Sequence, residues 1–182
     1  SKRPMKRIIE PLSKMGANIS GSKEDTLPLQ ITPSQKIRGI NYKMPVASAQ
    51  VKSAILFASL GAQGDTKIIE KSVSRDHTER MFEYFGASIS HSEKETTLKE
   101  TDKFTSQNIE IPGDFSSSAF FIVAALISKN SDITLREVGM NPSRTALLNK
   151  LIEMGGDIRV FNHTSFGKEP IADVNIKSSF LN

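Results

Sequence analysis

Three times in this 182-residue chain, a helix-patterned stretch runs out on a glycine that leads, within three residues, to an isoleucine. The endings are Met15-Gly16-Ala17-Asn18-Ile19, Phe85-Gly86-Ala87-Ser88-Ile89 and Met154-Gly155-Gly156-Asp157-Ile158. Glycine accepts the left-handed conformation that closes a helix, so each ending predicts a C-cap that turns the chain into a strand. Recurrence of one ending at three places restricts the fold to an internally repeated one.

The stretches between the endings fill out the repeat. Residues 40–44 read as a strand, 48–60 as a buried helix and 66–70 as a strand. Residues 75–85 read as an amphipathic helix with Met81, Phe82 and Phe85 on one face, and strands follow at 88–91 and 96–99. The order then returns: strand 108–111, buried helix 116–127, strand 133–137, amphipathic helix 143–154, and strands 157–161 and 173–177. Pro45 matches Pro112, Glu70 matches Glu137, and Arg75 matches Arg144 by its distance from the following glycine. Residues 1 to about 33 hold the tail of a third copy. The expected architecture is α/β (α+β), with two full βαβαββ units and part of another. Pro11 interrupts the first helical pattern (Ile8, Ile9, Leu12, Met15), where a proline costs about 3 kcal/mol, so a kink or a late helix start is expected.

Composition narrows the class. Apolar residues make up 37% and charged residues 24%, the balance of an ordinary globular chain. The longest apolar run, 119–127, is too short to cross a bilayer, and no apolar segment follows the charged start Ser1-Lys2-Arg3-Pro4 as a signal peptide requires. With no cysteine there is no disulfide or thiolate chemistry, and a cytoplasmic setting fits. The net charge of +4 and pI near 9.3 admit an anionic small molecule or a nucleic acid. The charges are dispersed, with the densest basic patch at Lys2, Arg3, Lys6 and Arg7. With no tryptophan and only two tyrosines, Tyr42 and Tyr84, few exposed aromatics are expected to stack on bases. The chain opens without an initiator methionine and inside an element, as an internal fragment would.

The strongest candidate site is Met44-Pro45-Val46-Ala47-Ser48-Ala49-Gln50-Val51-Lys52-Ser53-Ala54. A buried helix has no packing need for Ser48, Gln50, Lys52 and Ser53 in its first turns. It needs them where its N-terminus meets a polar or anionic ligand, because free N–H groups and the helix dipole favour negative charge there. Ser48 alone is explained as an N-cap, whereas Gln50 is expected to face inward. In Ser74-Arg75-Asp76-His77-Thr78-Glu79, a cation at a helix entrance suits a bidentate phosphate or carboxylate contact. Pairing of Arg75 with Asp76 or Glu79 is the competing reading. His77 as a lone histidine is more readily structural than an acid or base. Arg3 before Pro4 is again an arginine at a helix entrance, while Arg144 behind Asn141-Pro142-Ser143 reads as structural. Pro112-Gly113-Asp114-Phe115-Ser116-Ser117-Ser118 lacks the lysine and spacing of a P-loop, and Asp114 as an N-cap explains it. His77, His91 and His163 are scattered, so no metal site is expected.

These motifs together resemble the 5-enolpyruvylshikimate-3-phosphate synthase family. The resemblance rests on Lys2-Arg3-Pro4-Met5, Val46 to Ala54, Ser74 to Glu79, Pro112-Gly113-Asp114 and Asn141-Pro142-Ser143-Arg144-Thr145, in the family's order across essentially the whole chain. It implies two domains, each an inside-out α/β barrel of βαβαββ units. Residues 1–110 would then end the first, shikimate-phosphate-binding domain, and 111–182 would open the second, with the crossover near Pro112. It implies enolpyruvyl transfer from phosphoenolpyruvate to the 5-hydroxyl of shikimate 3-phosphate with release of phosphate, in aromatic amino acid biosynthesis. By position, Ser48 and Ala49 would hold the shikimate phosphate, and Gln50 would reach both the shikimate ring and phosphoenolpyruvate. Arg75 would bind on the 3-phosphate side and Arg3 would grip phosphoenolpyruvate. The family's catalytic groups fall outside this chain, so no catalytic residue is expected in it and no turnover by it alone. The implied protein is a cytoplasmic monomer with no cofactor, metal, membrane or nucleic-acid partner. Two rival readings are an enolpyruvyl transferase acting on UDP-N-acetylglucosamine and a basic α/β module that binds nucleic acid, the latter with steep salt dependence.

Overall fold

Each glycine expected at a helix end takes a positive φ: +99° at Gly16, +82° at Gly86 and +88° at Gly155. The computed structural model describes residues 3–34, 36–100 and 104–182, so Lys2 of the basic patch lies outside the described residues. The chain divides into two compact units, Ser1–Ser106 and Gln107–Asn182.

In the first unit, α1 (Lys6–Lys14) leads through Gly16 into a hairpin of β1 (Asn18–Ser20) and β2 (Gln30–Thr32). One full repeat follows: β3 (Asn41–Lys43), α2 (Ala49–Ser59), β4 (Thr66–Ile69), α3 (His77–Tyr84), β5 (Ile89–His91) and β6 (Glu95–Leu98). The sheet order is β3-β4-β6-β5, with β3 parallel to β4 and the other pairs antiparallel. Apolar residues of α2 (Val51, Ile55, Leu56) pack with Met15, Met44, Ile68, Phe82 and Leu98 to form its core. Helix α1 runs through Pro11 rather than starting there, and the proline is buried. Burial of the ring opposes the missing N–H, which leaves the Arg7 carbonyl without its usual i+4 donor.

The second unit holds α4 (Phe115–Ile127), β7 (Asp132–Gly139), α5 (Ala146–Glu153), β8 (Ile158–Phe166) and β9 (Glu169–Lys177). Its sheet is antiparallel, in the order β7-β9-β8, over a core of Phe115, Ile122, Leu126, Leu148, Leu151, Val174 and Ile176. The strand expected at 108–111 does not form. Ile109 and Ile111 are 50% and 88% exposed, and the edge beside β7 is reduced to one parallel bridge, Gly113 to Val138. The cause is a bulge in β7 between Leu135 and Val138, where Glu137 takes φ +52° and the edge loses its regular ladder. Helix α5 begins at Ala146 instead of 143, because Asn141 Oδ1 accepts from the Ser143 N–H (2.9 Å) and holds that segment in a turn. Among the described residues, no helix is long and apolar enough to cross a membrane.

Candidate functional site

Because β3 and β4 run parallel, the chain leaves both at the same edge of the sheet, the edge where α/β folds place ligands. From β3 it passes Pro45 into α2, and from β4 it passes Glu70 into α3. Ser48 is extended (φ −157°) and its hydroxyl accepts from the Val51 N–H at 3.4 Å, which starts α2. The hydroxyls of Ser53 and Thr78, 2.7 Å apart, tie the first turns of α2 and α3 together.

These helix starts and the entrance to α1 enclose a cleft of about 760 Å³. Four of the five residues named from the sequence line it: Arg3, Ala49, Gln50 and Arg75. The fifth, Ser48, is half-buried in its capping role and is not part of the wall. Gln50 was expected to face inward but is exposed, with its Oε1 accepting from Arg7 Nη2 at 2.9 Å. The sequence named Arg7 only as part of the basic patch and gave it no role in the site. His77 also lines the cleft, and Met5, Ile8 and Leu27 form its apolar side. Among the described residues its wall carries three guanidinium groups and no carboxylate, so its field favours an anion.

The two readings of Arg75 are separated by where the nearby acids go. Asp76 pairs with Arg80 at 2.9 Å, and Glu79 turns into the core, so neither neutralises Arg75. Lys52 also departs from expectation, since it does not face the cleft. Its ammonium is buried between Glu70 Oε2 (2.7 Å) and Glu79 Oε1 (2.6 Å), with side chains only 2–3% exposed. Glu70 in turn accepts from the Ser74 hydroxyl at 2.5 Å. One ammonium thereby joins α2, the end of β4 and α3, and fixes the residue preceding Arg75. Among the buried side-chain atoms of the described residues, Glu79 Oε2 alone lacks a hydrogen-bond partner.

The serine-rich start of α4 is differently occupied. Asp114 accepts from both the hydroxyl and the N–H of Ser117, each at 2.8 Å, and the hydroxyl bond foremost lowers its carboxyl below the ordinary range. Arg144 donates to the Ser116 hydroxyl and stands 4.0 Å from Asp114. The arginine that matches Arg75 in the repeat is therefore held by its own unit.

Comparison with known proteins agrees with this arrangement. The chain is 48% identical over 187 residues to the 3-phosphoshikimate 1-carboxyvinyltransferase of Hydrogenovibrio crunogenus, covering all of this chain and 42% of that protein. It is 48% identical over 181 residues to the enzyme of the same name from Petrotoga mobilis, with 98% and 42% covered. The structure is similar to the EPSP synthase of Acinetobacter baumannii, with a TM-score of 0.89 and 46% identity over 98% of this chain and 40% of that one. The chain thus spans about 42% of the length of the curated relatives it matches. The family described as EPSP synthase (3-phosphoshikimate 1-carboxyvinyltransferase) matches residues 1–179, and with the repeated α/β units and the arginine-lined cleft already in place, the chain belongs to that family.

Proposed function

We propose that this chain contributes the shikimate 3-phosphate side of an enolpyruvyl transferase. The reaction moves the carboxyvinyl group of phosphoenolpyruvate to the 5-hydroxyl of shikimate 3-phosphate and releases phosphate. The observation that carries the reading is the cleft wall, with three guanidinium groups and the first turn of α2 around one space and no carboxylate side chain in its described lining. Both substrates are anionic; the guanidinium groups of Arg3 and Arg75 suit charge-assisted hydrogen bonds to phosphate and carboxylate, and that of Arg7 adds to the field. Arg75 serves the 3-phosphate, and Ser48 and Ala49 serve the same phosphate through the helix start. Gln50 reaches the shikimate ring and phosphoenolpyruvate, and Arg3 holds phosphoenolpyruvate. The first unit belongs to the shikimate-phosphate-binding domain, and the second opens the other domain of the enzyme.

The test is a titration of the 15N-labelled chain with shikimate 3-phosphate. The backbone amides of Ala49, Gln50 and Arg75 are expected to shift, and Arg75→Ala to weaken binding roughly tenfold to a hundredfold. Shifts elsewhere only would overturn the reading. Equal shifts with UDP-N-acetylglucosamine would move it to the other enolpyruvyl transferase.

A further inference from the structure

Arg7 is the one guanidinium of the cleft to which neither position in the motifs nor the proposed chemistry gives a role. Its side chain leaves the first turn of α1 and donates from Nη2 to Gln50 Oε1 in α2, at 2.9 Å across 43 residues of sequence. Arginine only donates, whereas a carboxamide accepts at one end and donates at the other. An arginine beside Gln50 therefore selects which end of the amide faces it. Oε1 is taken by Arg7, and Nε2 with its two N–H groups is turned away from it. Among the described residues Nε2 makes no hydrogen bond of its own, and both side chains line the cleft.

We propose that Arg7 is a positioning residue that locks the Gln50 carboxamide with its N–H end toward the anionic ligand. The proposal rests on the reading of Gln50 as a substrate contact. Without Arg7 the amide is free to rotate, and half of its orientations present an oxygen to the ligand, which repels an anion instead of binding it. Arg7 acts through Gln50 and not by touching the ligand. Most of its effect must vanish when Gln50 is removed, leaving only the loss of one charge from the field of the cleft.

The experiment is a mutant cycle on the 15N-labelled chain, read by binding of shikimate 3-phosphate and by the Gln50 side-chain NH2 resonances. Those resonances are identified by their loss in Gln50→Ala. Arg7→Met is expected to weaken binding about threefold to tenfold, and by no more than about twofold in the Gln50→Ala background, where only its charge is lost. The ligand-induced shift of the NH2 pair, large in the wild type, is expected to collapse in Arg7→Met while backbone amides outside the cleft stay in place. Binding equal to wild type in both Gln50→Ala and Arg75→Ala would sink the cleft reading itself. If those two variants weaken binding but Arg7→Met is neutral, or is additive with Gln50→Ala, or leaves the NH2 shift intact, only the role of Arg7 is overturned.

Discussion

Helices α2 and α4 hold the same place in successive copies of the repeat and start alike, Ser48 capping the Val51 N–H and Asp114 capping that of Ser117. Beyond the cap they diverge. The fourth helical residue of α2 is Lys52, buried against Glu70 and Glu79, and the fourth of α4 is Ser118, half-buried. Glu137, which matches Glu70 in the repeat, is exposed in the bulge of β7 and takes no part in a core. Arg75 lines a cleft, whereas Arg144 bonds to Ser116 of its own unit. One copy carries a buried ionic joint and keeps its arginine at a cleft. The other has no such ionic joint among the described residues and uses its arginine internally. The difference teaches that the repeat supplies the frame, and that a few polar replacements turn one helix start toward a ligand.

The largest effect is expected where the copies differ most. Lys52→Met leaves two buried carboxylates facing each other without their cation and should destabilise the first unit by about 3–5 kcal/mol. Its counterpart Ser118→Ala should cost the second unit no more than roughly 0.5 kcal/mol. The two tyrosines, Tyr42 and Tyr84, both lie in the first unit and the chain has no tryptophan, so tyrosine fluorescence in urea follows that unit alone. An unchanged urea midpoint for Lys52→Met would mean that the joint does not hold the cleft wall. Replacing all three charged residues by apolar ones of similar size should recover most of the loss, since the penalty comes from unpaired burial and not from a missing attraction.

A second contrast concerns the matched arginines. Arg75→Ala should weaken shikimate 3-phosphate binding by roughly 1.5–3 kcal/mol and leave the urea midpoint almost unmoved. Arg144→Ala should do the reverse, lowering the stability of the second unit by about 1 kcal/mol with no change in binding. Calorimetric titration beside urea unfolding separates the two. If Arg144→Ala weakened binding as much as Arg75→Ala, the division of labour between the copies would be wrong.

The frame was legible in the chain because its signals are local. Gly16, Gly86 and Gly155 mark helix ends by a conformational need that no partner alters, and the helix expected at 48–60 forms as Ala49–Ser59 between its caps. The strand expected at 108–111 failed because strand formation depends on a partner edge, and the bulge that breaks that edge lies some 25 residues further on. Within the cleft, the residue types of the wall were readable, but their directions were not. Lys52 and Gln50 are two apart on one helix and were both assigned to a ligand-facing start; the glutamine, expected to face inward, is exposed and lines the cleft, whereas the lysine is buried. A local signal for Lys52 did exist, since Glu79 lies three residues from buried Phe82 and so shares the face of α3 that meets the core. The bond from Arg7 to Gln50 had none, because it joins residues 43 apart.

The smallest effect distinguishes the two caps by pH. Removing either cap, by Ser48→Ala or Asp114→Ala, should cost about 1 kcal/mol near neutral pH. Only the second cost should depend on acid. In the folded chain the Ser117 hydroxyl, and then the Ser117 N–H, hold the Asp114 carboxyl below the ordinary aspartate value of 3.8, to which it returns on unfolding. A lowered folded value means that the contribution is complete above the ordinary value and is lost as pH falls through the folded one. Ser48 does not ionise, so its cap contributes equally throughout. Asp114→Asn provides the control, since an amide oxygen still accepts the Ser117 N–H but carries no charge. Urea unfolding at pH 6 and again well below pH 3.8 should show wild type more stable than Asp114→Asn at the first and converging with it at the second. Other carboxylates titrate identically in both proteins and cancel in the difference. A gap that stayed constant between the two conditions would show that the cap of α4 works by geometry alone, as the cap of α2 does.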